Sequence, residues 1–218
     1  MLAAFDVGIA NLSICITGDN KIIKWEILNI CSDNNKCCKL LRNKKQCSKI
    51  AYYKDKDNNY YCSTHKKADS NKIKAKEKDN LYSYGVNMYK LLDNIKELKD
   101  CEKILIENQP VLKNPTIKSI SMILFSYFIN KNENVYFINA SNKLKINEKY
   151  TNEQLKKSTN KYNTRKKLSV EYADKIINNM KIENSVLINY LNSKKKDDLA
   201  DALLYCYYEK NGKNSLKL

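Results

Sequence analysis

Apolar and polar positions alternate through the first thirty residues, and this period of two predicts β-strands rather than helices. The alternation is clearest in Leu12 to Ile16 and in Ile22 to Ile30. The apolar runs are interrupted at Gly8 to Asn11 and again at Gly18 to Asn20, where a Gly-Asp-Asn sequence favours a tight hairpin turn. The chain is therefore predicted to begin with an antiparallel meander.

Beyond residue 80 the apolar spacing lengthens to that of helices, with short apolar runs between them. Apolar side chains from Leu81 to Leu98 recur at helical spacing, and the apolar run from Glu102 to Pro110, closed by proline, indicates a buried strand. The rest is predicted as a helix at 116–129, a strand at 134–140, a mobile basic loop at 141–163, and helices at 164–180 and 196–210 with a short helical piece between them. This order predicts an α/β fold with a mixed sheet covered by helices.

Residues 31–79 interrupt this pattern. Lys, Asn, Asp, Tyr and Cys dominate the segment, and its apolar periodicity is lost. We interpret it as a module inserted into a single domain that spans residues 1–218. Because so polar a segment has little core of its own, something other than apolar burial must order it.

Charge narrows the range of functions. The 218 residues include 40 Lys or Arg and 24 Asp or Glu, a formal net charge of +16, which predicts a polyanionic partner. Only Arg42 and Arg165 are arginines, so contact with a nucleic-acid backbone is favoured over the reading of base edges. No apolar run approaches the roughly 20 residues that span a bilayer, and Met1 precedes neither a basic signal region nor an Arg-rich presequence. We expect an intracellular protein with no membrane partner.

Four carboxylates stand out from their surroundings. Asp6 interrupts the otherwise apolar predicted strand from Leu2 to Gly8, and Glu107 lies at the end of the predicted strand in the run from Ile104 to Pro110. Asp198 and Asp201 share one helix face at i, i+3 spacing. Simpler structural roles are a turn aspartate at Asp6, a loop position at Glu107 and helix capping by Asp197 or Asp198. As ligands, the four would suit Mg²⁺ or Mn²⁺, and paired ions suit displacement at phosphorus.

The segments around these acids resemble a known family. Phe5 to Leu12, Ile106 to Gln109 and Lys196 to Ala202 look like the acidic motifs of RuvC-type Holliday junction resolvases, in the branch found in poxviruses, other large DNA viruses and fungal mitochondria. Tyr162 to Leu168 resembles the basic helix start of that branch. The likeness runs from residue 2 to about 209, outside the insertion.

The resemblance implies a ribonuclease-H-like fold with a mixed five-stranded sheet flanked by helices. It also implies a homodimer that makes paired symmetric nicks across four-way DNA junctions. Asp6, Glu107, Asp198 and Asp201 would then hold two Mg²⁺ or Mn²⁺ ions per active site. A viral origin, with action at sites of viral DNA replication, is a further implication.

The inserted module carries its own candidate metal ligands. Cys62 and His65 form a C-x2-H pair, with Cys47 upstream and either Cys37 or Cys38 further upstream. Thiolate and imidazole ligands at such spacing match a closed structural zinc site with one ion, whose binding would supply folding energy. The alternative is a disordered loop with unligated surface cysteines.

Basic side chains near the acids are candidate DNA contacts. Lysine is dense from residue 143 to residue 167, where only two glutamates oppose it. The predicted DNA-binding residues are Lys156, Lys157, Arg165, Lys166, Lys167, Lys195 and Lys196. A solvated lysine-rich loop is the rival interpretation.

Two functions other than that of a junction-resolving endonuclease are also compatible with the sequence. One is a ribonuclease-H-like nuclease that acts on another duplex. The other is a non-catalytic zinc-containing nucleic-acid-binding protein in which the acids are structural.

Overall fold

A computed structural model describes residues 1–31, 36–73, 79–112, 114–132 and 134–217. The chain divides into two compact units, one made of Met1–Cys31 with Leu81–Leu218 and the other of Ser32–Asn80. Both ends of the predicted insertion adjoin segments, 32–35 and 74–78, that lie outside the described residues. Each unit has its own sheet.

Nine strands and six α-helices are assigned within the described residues. In chain order the strands of the first part are β1 (Leu2–Asp6), β2 (Leu12–Thr17) and β3 (Lys21–Leu28), followed in the second unit by β4 (Tyr53–Lys54), β5 (Tyr60–Tyr61) and β6 (Asn71–Lys72). The remaining elements are α1 (Leu81–Asp93), β7 (Lys103–Asn108), α2 (Pro115–Ile129), β8 (Val135–Asn139), α3 (Glu148–Lys157), α4 (Lys161–Ile177), β9 (Lys181–Ile182), α5 (Asn184–Asn192) and α6 (Lys196–Asn211). Short 3-10 helices lie at Lys96–Asp100 and Asn142–Asn147. None of the described helices is long and apolar enough to cross a bilayer.

The sheet of the first unit has the strand order β8-β7-β1-β2-β3-β9. Strands β1, β2 and β3 are antiparallel neighbours, whereas β7 is parallel to both β1 and β8. The prediction of an α/β fold with a mixed sheet flanked by helices is confirmed. The strand count differs by one, because the two-residue strand β9 pairs with the start of β3 and is too short to show a period in sequence.

Strand alternation separates two hydrophobic cores. In β1, Leu2 and Ala4 face the core formed with α4 and α6, whereas Ala3 and Phe5 face the core formed with α1 and α2. In β7, Leu105 faces the α6 side. Because side chains alternate along a strand, Asp6 and Glu107 also project toward α6.

The expectation of a mobile basic loop at 141–163 is wrong. A 3-10 helix, α3 and the beginning of α4 occupy the segment. Asn147 caps α3 through a hydrogen bond from the Tyr150 amide, and buried Thr151 donates to the Leu144 carbonyl at 3.0 Å. These polar contacts fix the start of a helix that contains few apolar residues, which is why apolar spacing did not indicate it.

The second unit is held together by few apolar side chains. Its three short strands have the order β5-β4-β6, and its buried cluster consists of Cys37, Cys47, Tyr61 and Cys62. A buried carboxylate, Asp55, fixes the turn between β4 and β5. It accepts hydrogen bonds from the Asp57 and Asn59 amides, the Asn59 side chain, the Tyr61 hydroxyl and the Lys67 ammonium.

Candidate functional site

Three predicted carboxylates meet at one edge of the larger sheet. Asp6 ends β1 and Glu107 lies at the same end of parallel β7, since Phe5 and Ile106 are paired one residue earlier. Asp201, on the second turn of α6, approaches the same edge from above the sheet and interacts electrostatically with both carboxylates. Carboxyl ends of parallel strands are where open α/β sheets place their ligand sites.

The pKa values show how unfavourable this concentration of negative charge is. Burial and the neighbouring Glu107 carboxylate hold the pKa of Asp6 well above its ordinary value. Burial also raises the pKa of Asp201, although the Lys143 ammonium opposes the shift. Repulsion among partly buried carboxylates favours the binding of a cation between them.

Asp6, Glu107 and Asp201 are here called the acidic cluster, and Lys143 supplies a positive charge within it. Its ammonium forms an ion pair with Asp201, and the two side chains are 17% and 16% exposed. Burial lowers the pKa of Lys143, but attraction to Asp201, Asp6 and Glu107 outweighs that effect and the pKa is raised. The cluster is therefore strongly charged yet still reaches solvent.

The hydrogen bonding of two of these carboxylates is also informative. The Gln109 side chain donates to Glu107 Oε2 at 2.7 Å and so orients that carboxylate. Asp201 Oδ1 is buried and has no hydrogen-bond partner among the described residues. A buried carboxylate oxygen without a donor is costly, and a hard cation would satisfy it.

The sheet also fixes the first turn of α6. Ser13 Oγ donates to the Asp198 carbonyl at 2.5 Å, and Trp25 Nε1 donates to the Leu199 carbonyl at 2.8 Å. Trp25 stacks on Tyr190 with ring centroids 4.2 Å apart. These contacts place the acidic turn of α6 above the strand ends.

Asp198 lies in different surroundings from the other three acids. Burial and the adjacent Asp197 carboxylate raise its pKa, while Lys195, Lys166 and Lys143 lower it. Asp197 forms an ion pair with Lys166. The residue before α6 is Lys195, which makes no side-chain cap, so neither aspartate has the capping role considered above.

The predicted DNA-binding residues lie on α3, α4 and the start of α6. Lys156 and Lys157 are exposed in the last turn of α3, Arg165 and Lys167 are exposed on α4, and Lys195 is exposed before α6. Lys166 is paired with Asp197, and the ammonium of Lys196 lies 5.5 Å from the Tyr190 ring centroid. These last two are engaged within the protein.

The second unit brings four predicted ligands together. The ligand atoms of Cys37, Cys47, Cys62 and His65 all lie within 4.8 Å of one another. His65 Nδ1 is 3.5 Å from Cys37 Sγ and 3.4 Å from Cys62 Sγ. Of the two adjacent cysteines between which the sequence left the choice open, this group includes Cys37 and not Cys38. Among the described residues, it is the one group of three or more Cys, His, Asp or Glu that converges this closely.

Comparisons with known proteins give a viral relative and two solved structures. The chain is 34% identical over 226 residues to uncharacterized protein L451 of Acanthamoeba polyphaga mimivirus. That alignment covers 85% of this chain and 53% of the relative, so the chain spans about half the relative's length. No protein-family model matches the chain.

Two solved structures are similar to this chain over most of its length. The yeast mitochondrial Holliday junction resolvase Ydc2 has a TM-score of 0.47 and 17% identity, with 93% of this chain and 75% of that chain covered. Thermus thermophilus RuvC has a TM-score of 0.42 and 10% identity, with 97% and 96% covered.

Sequence reasoning did not place Lys143, Gln109 or Tyr205 at the acidic site. Only Tyr205 left a signal in the sequence, whereas the position of Lys143 depends on strand pairing. Lys143 follows β8, a parallel neighbour of β7, so its backbone starts from the same sheet edge as Glu107. Tyr205 comes four residues after Asp201 and therefore shares its helix face. Burial and the nearby carboxylates, Glu107 first among them, hold the pKa of its hydroxyl well above its ordinary value.

Proposed function

We propose that the chain is a divalent-metal-dependent, structure-selective endonuclease that resolves four-way DNA junctions by paired symmetric nicks. The observation that carries the proposal is the convergence of Asp6, Glu107 and Asp201 at one sheet edge, within segments that resemble the resolvase motifs. The net charge of +16 supports a nucleic-acid substrate.

Asp6, Glu107 and Asp201 would hold the ions, with Asp198 as a further ligand at the start of α6. The donor set fits Mg²⁺ or Mn²⁺, because it consists of hard oxygens and includes the unpartnered Asp201 Oδ1. Such ions, when bound, supply Lewis-acid activation and neutralise charge on the phosphate. Gln109 orients Glu107, and Ser13 and Trp25 hold the α6 turn, so the protein fixes the ligands before substrate arrives.

Exposed basic side chains on α3, on α4 and just before α6 would bind the phosphate backbone. Lys156, Lys157, Arg165, Lys167 and Lys195 are the available contacts, and the pairing of Lys166 and Lys196 within the protein makes these two weaker candidates. Symmetric nicking requires two active sites, so we propose a homodimer. The mimivirus relative supports a viral origin, for which replicating viral DNA would be the site of action.

We further propose that Cys37, Cys47, Cys62 and His65 bind one structural Zn²⁺. Three thiolates and one imidazole are a common closed zinc set, and the small apolar core of this unit leaves folding energy to be supplied by the metal. This ion is independent of the Mg²⁺ or Mn²⁺ at the acids.

The test compares a synthetic four-way junction with a linear duplex in the presence of Mg²⁺. Asp201→Asn should lower junction cleavage by about 1000-fold while leaving junction binding intact, because the carboxylate acts on the transition state more than on binding. Asp197→Asn is the matched control, since Asp197 forms an ion pair with Lys166 and is not one of the proposed ligands, so its variant should retain cleavage.

Three outcomes would count against the proposal. Undiminished cleavage by Asp201→Asn would remove Asp201 from the site. Equal cleavage of linear duplex would favour a ribonuclease-H-like nuclease of another substrate. Binding of the junction without cleavage by the wild-type protein would favour a non-catalytic binding protein.

A further inference from the structure

Residues 36–50 of the second unit form a hairpin. Antiparallel bridges join Lys36 to Ile50 and Leu40 to Gln46. The Cys37 amide donates to the Lys49 carbonyl at 3.0 Å, and the Cys47 amide donates to the Lys39 carbonyl at 2.8 Å. Cys37 and Cys47 thus occupy opposite arms, and a metal bound by both would clamp the hairpin at its base.

The far end of this hairpin, residues 40–45, is here called the tip. Its backbone is ordered by hydrogen bonds from the Leu41 amide to the Lys45 carbonyl and from the Lys44 amide to the Leu41 carbonyl, both 2.9 Å. All six tip residues are exposed, including Leu40 at 64% and Leu41 at 40%. The tip therefore presents two leucines, Arg42 and two lysines to solvent in a fixed arrangement.

Charge within the unit is distributed unevenly. Residues 36–73 contain eleven Lys or Arg and three Asp, a net charge of +8 that equals half the net charge of the whole chain. The three acids are Asp55, Asp57 and Asp69, so residues 36–54 carry seven basic and no acidic side chains. The hairpin is therefore uniformly basic.

The turn between β4 and β5 provides an internal comparison. That turn uses Asp55, Asp57 and Asn58, and Asn58 adopts the left-handed conformation that asparagine tolerates well. The tip uses Lys44 at its left-handed position, with φ of 61°. Turn geometry alone favours glycine or asparagine there, so lysine at this position is explained better by its charge than by the turn.

We propose that the tip is a second DNA-contacting element, in which Arg42, Lys44 and Lys45 bind phosphates and Leu40 and Leu41 pack against base faces where stacking is disrupted. The basic charge of the tip favours a polyanionic partner. Proteins that bind distorted DNA often insert exposed apolar side chains between base steps, and Leu40 and Leu41 are exposed on this basic element. The choice of branched DNA as partner rests on the proposed function. The metal cluster would act by keeping the tip rigid, which reduces the entropy lost on binding.

Binding measured without added Mg²⁺ separates this inference from the proposed cleavage. The test variant is Arg42→Ala with Lys45→Ala, and the control is Lys56→Ala with Lys72→Ala, which removes the same charge from exposed positions elsewhere in the unit. The tip variant should lose about 10- to 30-fold in junction affinity at physiological salt, and the slope of log K against log salt should fall by about 1.8. The control should change affinity by less than about threefold.

The leucines are tested by Leu40→Ser with Leu41→Ser. Because both side chains are already exposed, the fold and metal content should be unchanged. Affinity for the junction should fall about fivefold while affinity for linear duplex stays the same, as expected when partial burial of two leucines is lost. A photoreactive residue at Asn43 should also crosslink to DNA, whereas the same residue at Asn58 in the other turn should not.

The inference is overturned if the tip variant binds DNA like its control, or if Asn43 and Asn58 crosslink equally. It is also overturned if the tip variants dissociate a dimer of the chain without weakening DNA binding, since the tip would then be a contact between two copies. A wild-type protein that binds DNA through the tip but cuts no junction would overturn the proposed function alone.

Discussion

The acidic cluster and the cysteine-histidine cluster differ in how each one contributes to the stability of its unit. In the larger unit, a well-packed core forces Asp6, Glu107 and Asp201 together against their mutual repulsion. In the smaller unit, four buried side chains form almost the whole core, and the ligand set itself is part of that core. In the larger unit the folded core keeps the carboxylates together. In the smaller unit we expect the bound metal to stabilise the fold.

This difference predicts that single substitutions will have opposite effects on stability in the two units. Replacing a carboxylate of the acidic cluster removes an unfavourable charge and should leave the fold intact. Replacing a cysteine ligand removes a support for which the small core cannot compensate. The predictions below test this contrast, beginning with the largest effect.

Cys62→Ser should release the metal and unfold the second unit. Purified wild-type protein should contain about one zinc per chain, and the variant should contain none. Hydrogen exchange in residues 36–73 should become rapid, while exchange in β1 and β7 stays slow because the larger unit has its own core.

Two neighbouring cysteines provide the control for this prediction. Cys37→Ser should behave like Cys62→Ser, whereas Cys38→Ser should retain the metal because Cys38 is outside the ligand group. Zinc-free wild-type protein, prepared without chelator and still folded in this segment, would contradict the prediction.

Asp55→Asn should destabilise the second unit without removing a metal ligand. The hydrogen bond from Lys67 and those from the turn hold the pKa of Asp55 below its ordinary value, although burial opposes the shift. Because the pKa in the folded state lies below that of the unfolded chain, the stabilisation is complete above about pH 4 and is lost as the pH falls. At neutral pH the variant should therefore lose the full contribution.

Hydrogen exchange at the Asp57 and Asn59 amides measures this loss directly, since both amides donate to Asp55. The control is Asp57→Asn, because that side chain is exposed and Asp57 contributes only its backbone amide to the network. If the two variants exchanged at the same rate, Asp55 would have no special role in the turn.

Trp25→Phe should have a moderate effect that spreads from the core to the acidic cluster. The substitution keeps an aromatic ring near Tyr190 but removes the donor to the Leu199 carbonyl. We expect the larger unit to lose about 1–3 kcal/mol of unfolding free energy. Junction cleavage should fall as well, because the turn of α6 that carries Asp198 and Asp201 loses a support.

Tyr190→Phe separates these effects, since it keeps the stacked ring and removes only the hydroxyl that donates to Asp174. Its stability should fall, yet its cleavage should match the wild type when both are measured well below their melting temperatures. A Trp25→Phe protein with full activity would show that α6 is positioned by other contacts.

The sequence predicted those features that depend on local pattern. A carboxylate that ends an apolar strand, as at Asp6 and Glu107, is visible without tertiary information, and so is the C-x2-H spacing of Cys62 and His65. The order of strands and helices likewise follows from periodicity. These signals depend on residues within one turn or one strand of each other.

Other features depend on long-range contacts or on polar packing that has no period. Lys143 reaches Asp201 only because β8 lies beside β7, which no local pattern shows. Helix α3 has few apolar residues and is ordered partly by Thr151, whose hydroxyl hydrogen-bonds with that of Tyr172 at 2.7 Å. Asp198 shares a helix face with Asp201, as spacing predicted, but its surroundings include Asp197 and three lysines.

Lys143→Met should produce the smallest effect and the most informative one about the acidic cluster. Without the ammonium, the repulsion among Asp6, Glu107 and Asp201 is no longer offset by this positive charge, so the melting temperature in metal-free buffer should fall slightly. Added Mg²⁺ should then stabilise the variant more than the wild type, because in the wild type the ion competes with a cation already paired with Asp201. Thermal unfolding with and without saturating Mg²⁺ measures both quantities, and exposed Lys149→Met controls for the loss of one positive charge nearby. Equal stabilisation of wild type and variant by Mg²⁺ would mean that Lys143 and the ion do not compete for the same carboxylate oxygens. The ion would then have to bind elsewhere along this edge of the sheet.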